Sequence, residues 1–128
     1  MKDFKKYYTI PAHPEEVYAA LTHEPTIMLW TGAKAIFKAE PQSEFSLWDG
    51  DIVGKNLEFD PGKKIVQEWF FGDEQTTPSI VTLKLHLVKG QTSLEVNQTN
   101  IPDEAFEDIT EGWTYNYIQD LIEFYEED

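Results

Sequence analysis

The pattern that most constrains the fold lies in residues 79–100, where two alternating runs flank a tight turn. In the run SIVTLKLHLV, every second residue from Val81 is apolar and most of those between are polar. Such alternation is typical of a strand with one buried face. The turn Lys89-Gly90-Gln91 leads into a second run, TSLEVNQTN, so the two strands are predicted to pair as an antiparallel hairpin. An antiparallel sheet with one apolar face needs another layer to cover it.

Further strand-like runs precede this hairpin at short, regular intervals. The turn sequences between them include Asp49-Gly50 and Asp60-Pro61-Gly62-Lys63. Gly54 interrupts its strand, which is typical of a bulge, and a polar loop is expected over 72–78. The predicted strands are 4–11, 35–39, 44–48, 52–59, 64–71, 79–88 and 92–100.

Two short helices are predicted after the first strand. Pro14 at a first helical position, followed by two glutamates, marks the start of one helix. Pro25 either ends that helix or opens a second one over 26–30. His13, directly before Pro14, is expected to cap the first helix or to lie in solvent.

Apolar residues at steps of three and four predict one long amphipathic helix at the C-terminus. They are Phe106, Ile109, Trp113, Tyr117, Leu121 and Phe124. Asp108 and Glu111 form a candidate capping pair for this helix. The element order predicts an α+β fold, in which a curved antiparallel sheet wraps around the C-terminal helix. A single domain is expected over residues 1–128.

Charge and composition narrow the classes of function. The net charge of −14 disfavours nucleic acids and anionic membranes, and leaves a basic partner or a neutral small molecule. The absence of cysteine excludes thiol chemistry. His13, His23 and His86 are scattered, so neither a metal site nor a cofactor is expected. Because no signal-peptide or membrane-length apolar run occurs, we expect a cytoplasmic protein.

Polar and aromatic side chains on the predicted inner faces raise the hypothesis of a cavity. Gln67 and Gln98 fall on otherwise apolar faces, and each buried amide needs water, the other amide or a ligand as partner. A wet sheet end or a slipped register would also explain them. Aromatic residues at helical spacing are typical of a core, although tryptophan and tyrosine pack less easily without gaps. The candidate cavity residues are Trp30, Phe45, Gln67, Trp69, Phe71, Leu83, Leu85, Val96, Gln98, Trp113, Tyr117 and Leu121.

Four stretches together resemble a known family. They are HPEEVYAALT, FSLWDGDIVGKNLEFDPGKKIVQEWFF, SIVTLKLHLV with TSLEVNQTNIP, and EGWTYNYIQDL, whose Gly112 and Trp113 match a Gly-Trp motif. The chain resembles the helix-grip superfamily, also called START-like or SRPBCC. Within it, the chain is similar to the C-terminal domain of the activator of the heat-shock protein 90 ATPase and to bacterial single-domain proteins. The motif glycine is expected to permit a close approach to the sheet or a loop.

The resemblance implies one main function and two alternatives. The first is a non-enzymatic domain that binds a small hydrophobic or amphipathic ligand between sheet and helix. The second is a co-chaperone-like domain that acts on a heat-shock protein 90 type chaperone, in a stress-response setting. A chain of 128 residues leaves no room for the activator's N-terminal domain, so only the C-terminal-domain contact is implied. The third is a cyclase- or hydrolase-like enzyme, for which the assigned inner positions supply no carboxylate or histidine.

Overall fold

Six antiparallel strands form one curved sheet in the order β1-β6-β5-β4-β3-β2. The structure, a computed structural model, describes residues 1–71 and 78–126. The strands are β1 (Lys2–Ile10), β2 (Glu44–Leu47), β3 (Ile52–Asp60), β4 (Lys64–Trp69), β5 (Ser79–Val88) and β6 (Gln91–Ile101). Two short helices, α1 (Pro14–Thr22) and α2 (Glu24–Thr31), follow β1, so Pro25 opens a second helix. The predicted loop over 72–78 lies, apart from Pro78, outside the described residues.

A long helical segment covers the inner face of the sheet and ends the described chain. It comprises α3 (Phe106–Gly112), a π-helical turn (Trp113–Tyr117) and α4 (Ile118–Glu126), which we call the C-terminal helix. Its residues Trp113, Ile118 and Leu121 are buried against alternate residues of the central strands. The predicted α+β class and the helix-grip arrangement are therefore confirmed.

The predicted strand over 35–39 is wrong, because this segment makes only an isolated bridge. Ile36 and Ser46 exchange two backbone hydrogen bonds of 2.9 Å. The next amide, that of Phe37, donates instead to the Glu24 carboxylate at 2.9 Å. Since a side chain of α2 occupies this donor, the backbone ladder does not extend.

The predicted bulge at Gly54 is also wrong. Gly54 pairs in register with both Phe45 and Trp69, and the shift in the β3–β4 ladder lies between Asn56 and Glu58. Glycine is required at position 54 for another reason. A Cβ there would lie 2.0 Å from the backbone oxygen of Glu68 and 2.9 Å from the Phe45 ring.

The start of the C-terminal helix differs from the predicted capping pair. The helix begins at Phe106 after a short 3₁₀ turn, Asp103–Ala105, so Asp108 and Glu111 both lie inside it. Ala105 occupies the N-cap position without a side-chain hydrogen bond. In the described residues, no helix has the length and apolar composition that crossing a membrane requires.

We expect Gly54→Ala to lower the free energy of unfolding by about 1–3 kcal/mol, the usual cost of overpacking. The obstructing atom at position 54 is a backbone oxygen, which a rotamer change cannot move. The matched control is Gly112→Ala, because an added Cβ there meets only Asn116, at 3.9 Å. Removing a helical glycine should raise stability by up to about 1 kcal/mol. Urea unfolding followed by circular dichroism measures the stability of both variants. Equal stability of the two would contradict a steric requirement for glycine at position 54.

Candidate functional site

A chain of hydrogen bonds joins Trp113 of the C-terminal helix to the sheet. The Trp113 indole N–H donates to Gln98 Oε1 at 2.8 Å, and Gln98 Nε2 donates to Ser79 Oγ at 3.0 Å. The Ser79 hydroxyl donates in turn to the backbone oxygen of Thr99 at 2.8 Å. Because Gln98 is fully buried, these partners satisfy an amide that would otherwise cost stability.

A second chain of the same kind begins at Trp69. Its indole N–H donates to Gln67 Oε1 at 3.0 Å, and Gln67 Nε2 donates to Asn56 Oδ1 at 3.0 Å. Asn56 is itself buried and donates to the backbone oxygen of Lys38 at 3.1 Å. The partners of the two inward glutamines are therefore protein groups, and neither glutamine bonds the other.

Tyr117 is the centre of an aromatic cluster that includes all four tryptophans of the chain. Its ring centroid lies 4.5 Å from that of Trp113, 5.2 Å from Trp30, 5.5 Å from Trp48 and 6.5 Å from Trp69. Trp69 and Trp113 stack on each other with centroids 5.0 Å apart. The cluster joins α2, the β2–β3 turn, the sheet and the C-terminal helix.

A cleft of about 420 Å³ opens beside this cluster, between the C-terminal helix and strands β3 and β4. Four of the sequence-predicted cavity residues line it: Trp69, Phe71, Trp113 and Tyr117. Further residues complete the walls, namely Trp48, Asp51, Ile52, Val53, Phe70, Asp108, Ile109, Gly112, Asn116 and Asp120. Gly112 thus faces open space in the cleft, and the close approach expected from it is absent.

The other sequence-predicted cavity residues lie away from the cleft in the packed interior. Trp30 donates its indole N–H to the backbone oxygen of Ala20 at 2.9 Å. Gln67 and Gln98 belong to the two chains of hydrogen bonds that begin at Trp69 and Trp113. The remaining members are buried in the core and do not line the cleft: Phe45, Leu83, Leu85, Val96 and Leu121.

Three carboxylates at the cleft are absent from the sequence-based assignment. Asp51, Asp108 and Asp120 all line it, although the predicted inner face contained only apolar and amide groups. Asp120 is the least exposed of the three. Burial raises the pKa of its carboxyl; a hydrogen bond from Trp48 partly opposes this, and the nearby charge of Glu123 raises the pKa further.

Trp48 reaches the cleft through an unusual backbone. Its φ is 49° and that of Asp49 is 52°, so two successive residues adopt the left-handed conformation. This conformation costs about 1–2 kcal/mol per non-glycine residue. The Asp49 amide donates to the backbone oxygen of Lys34 at 2.9 Å, which holds the turn in place. The turn brings the Trp48 indole against Trp30 and Tyr117.

The Tyr117 hydroxyl lacks a hydrogen-bond partner among the described residues. Only 4% of this residue is exposed, and burial raises the pKa of its hydroxyl. Every fully buried side-chain nitrogen or oxygen in the described ranges has a partner. The Tyr117 hydroxyl therefore retains access to the cleft that it lines.

Within residues 1–71 and 78–126, no group of three or more histidines or carboxylates could hold a metal ion. His86 lies on the outer face of the sheet, where its Nε2 is 3.0 Å from Glu95 Oε1. Burial would raise the pKa of Glu95. Hydrogen bonds from His86 and Asn97, with the charges of Lys5 and Lys84, outweigh burial and lower it. These groups form a structural cluster away from the cleft.

Comparison with known proteins places most of this chain in one family. Residues 11–125 match the family described as "Activator of Hsp90 ATPase homolog 1-like protein". The activator of 90 kDa heat shock protein ATPase homolog from Dictyostelium discoideum is 33% identical over 107 residues, or 82% of this chain and 28% of the relative. Human activator homolog 1 is 27% identical over 114 residues, or 88% of this chain and 34% of the relative. This chain spans about a third of the length of these relatives.

Solved structures share the fold over nearly the whole chain. An HSP90 activator from Plasmodium falciparum superposes with a TM-score of 0.86 and 27% identity, covering 94% of each chain. A protein from Mesorhizobium loti superposes with a TM-score of 0.84 and 22% identity, covering 98% of this chain and 97% of that one. The second likeness supports the fold alone.

We expect Gln98→Leu to lower the free energy of unfolding by about 1–3 kcal/mol, because it leaves the Trp113 N–H buried without an acceptor. The matched control is Tyr117→Phe, which removes a hydroxyl that bonds no described residue and should change stability by less than about 0.5 kcal/mol. Thermal and urea unfolding by circular dichroism measure both. A larger loss in the tyrosine variant would show that its hydroxyl is structurally bonded.

Proposed function

Because this chain belongs to the family of activator of Hsp90 ATPase homolog 1-like proteins, we propose that it is a protein-interaction domain that binds a heat-shock protein 90 type chaperone. The observation that carries this proposal is the match over residues 11–125, together with the fold shared with an HSP90 activator at 27% identity. The proposal concerns the contact and not ATPase activation, since the chain spans only about a third of the curated relatives.

The charge of the chain supports recognition of a basic partner surface. With 24 acidic and 10 basic residues, the net charge is −14. Complementary charge increases the rate of association and favours the correct partner over others. Such attraction weakens when salt screens exposed charges.

We expect the purified chain to bind a purified heat-shock protein 90 type chaperone, with an affinity that falls at least about tenfold between 50 and 500 mM salt. Isothermal titration calorimetry gives the affinity, and backbone amide NMR gives the surface. The chaperone's ATP hydrolysis rate is measured in the same samples, and we expect little change in it. Absence of binding at 50 mM salt would refute the proposal.

The cleft supports a second candidate function, which is binding of a small apolar or amphipathic ligand. Its volume of about 420 Å³ lies within the range of about 300–1,000 Å³ typical of ligand pockets. Aromatic rings form much of its wall, and one nearly buried hydroxyl faces it without a described partner. Apolar walls with a few convergent polar groups are the usual composition of such pockets.

A bulky side chain at position 112 tests this second function. Gly112 lines the cleft and has room for a side chain, so Gly112→Leu should fill part of it. We expect this variant to bind 1-naphthylmethanol at least about tenfold more weakly than the parent. Gly112→Ala, the matched control, should bind within about threefold. Heteronuclear NMR titration measures all three proteins, and equal affinities would exclude the cleft as the binding site.

The Gly112→Leu variant also distinguishes the two candidate functions. If the chaperone recognises the outer surface, Gly112→Leu binds it as the parent does while losing the naphthalene compound. Loss of both kinds of binding would place the chaperone contact at the cleft.

A further inference from the structure

One corner of the cleft combines a carboxylate, a hydroxyl and an indole. Tyr117 and Asp120 lie three residues apart on the C-terminal helix, so their side chains are neighbours. Trp48 lies against Tyr117, with ring centroids 5.5 Å apart, and all three side chains line the cleft. We call Trp48, Tyr117 and Asp120 the polar corner.

The polar corner contains an unused hydrogen-bonding group. Tyr117 is 96% buried, and its hydroxyl reaches the cleft without a partner among the described residues. Because this hydroxyl reaches the open cleft, it can donate a hydrogen bond to a bound group or accept one from it. An ammonium N–H can donate to the phenol oxygen, whereas a purely apolar ligand cannot.

The charge around the cleft favours a cation. Its described lining contains three aspartates and no basic side chain. A carboxylate inside an aromatic cleft interacts more strongly with an opposite charge than the same group in bulk water.

The rings themselves also attract positive charge. The faces of indole and phenol rings carry partial negative charge, and tryptophan is the strongest binder of cations among aromatic side chains. Trp48, Trp69, Trp113 and Tyr117 all line the cleft. The left-handed backbone at Trp48 is of a kind that often occurs at ligand-binding sites.

We propose that the cleft selects organic cations, with an ammonium head bound at the polar corner and an aromatic or aliphatic body packed against the remaining rings. This proposal rests on the second candidate function above and names its ligand class. Asp120 supplies the opposite charge, Tyr117 accepts a hydrogen bond from the head, and Trp48 covers it. The chaperone-binding proposal does not depend on it.

Three compounds with one naphthalene body and different heads test the selectivity. They are 1-naphthylmethylammonium, 1-naphthylmethanol and 1-naphthoate, which are cationic, neutral and anionic at pH 7. We expect the ammonium compound to bind about tenfold more tightly than the alcohol, and the naphthoate to bind most weakly. Amide NMR titrations of the full chain give the affinities, with shifts expected at Trp48, Gly112 and Asp120.

Two variants and one control locate the head group. Asp120→Asn should weaken ammonium binding about fivefold while leaving the alcohol within about twofold. Tyr117→Phe should weaken both compounds, because both donate a hydrogen bond. Glu123→Gln removes the same charge from the same helix without touching the cleft lining, and should change ammonium binding less than twofold. Circular dichroism confirms that each variant is folded.

The outcomes distinguish a failure of cation selectivity from a failure of the ligand-binding function. Equal binding of the alcohol and the ammonium compound would overturn cation selectivity and leave the cleft as a site for neutral ligands. Equal effects of Asp120→Asn and Glu123→Gln on ammonium binding would overturn the placement of the head group at the polar corner. Absence of binding by all three compounds would overturn both the selectivity and the ligand-binding function. The expected order, with the loss confined to the corner variants, supports both.

Discussion

The placement of the C-terminal helix depends on the Trp113 indole, which must find a hydrogen-bond acceptor inside the protein. Trp113 and Trp69 stack on each other, and each donates to a glutamine on the inner face of the sheet. The glutamines are held by Ser79 and Asn56, so each chain of hydrogen bonds ends on the sheet or its loops. Apolar packing alone would tolerate small rotations of the helix. Directional bonds in a dry interior do not, and they fix which helix face meets the sheet. The same fixed face leaves one flank of the helix beside the cleft.

The hairpins and the buried helix stripe could be predicted because they depend on local periodicity and turn chemistry. The inner faces of β5 and β6 follow directly from alternation, and the turn at Lys89-Gly90 is local. Two predictions that were wrong, the strand over 35–39 and the bulge at Gly54, concern contacts between residues that are distant in the sequence. The Glu24 carboxylate accepts a hydrogen bond from the Phe37 amide, so the predicted strand over 35–39 does not form. Gly54 avoids a backbone atom of a neighbouring strand, which no local rule reveals.

The candidate site shows a similar division. Trp69, Phe71, Trp113 and Tyr117 carry the periodicity of an inner face, and the structure places them at the cleft. Asp120 and Trp48 do not carry it. Asp120 lies on the flank of the helix, where a carboxylate is ordinarily solvated, and Trp48 reaches the cleft through a left-handed backbone. The π-helical turn Trp113–Tyr117 also alters the spacing assumed by a helical projection. Sequence periodicity identifies the residues in the middle of a packed face, whereas this cleft lies at the edge of one.

The clustering of every tryptophan around Tyr117 has a spectroscopic consequence. Excitation energy passes readily between neighbouring indoles, here Trp30 with Trp48 and Trp69 with Trp113. The centroids of all four rings lie within 6.5 Å of the Tyr117 ring centroid. The intrinsic emission of the protein therefore reports on one place, the junction of helix, sheet and cleft. A change in the wavelength or lifetime of this emission would signal an event at that junction. Rearrangements of the outer sheet face would leave the emission unchanged.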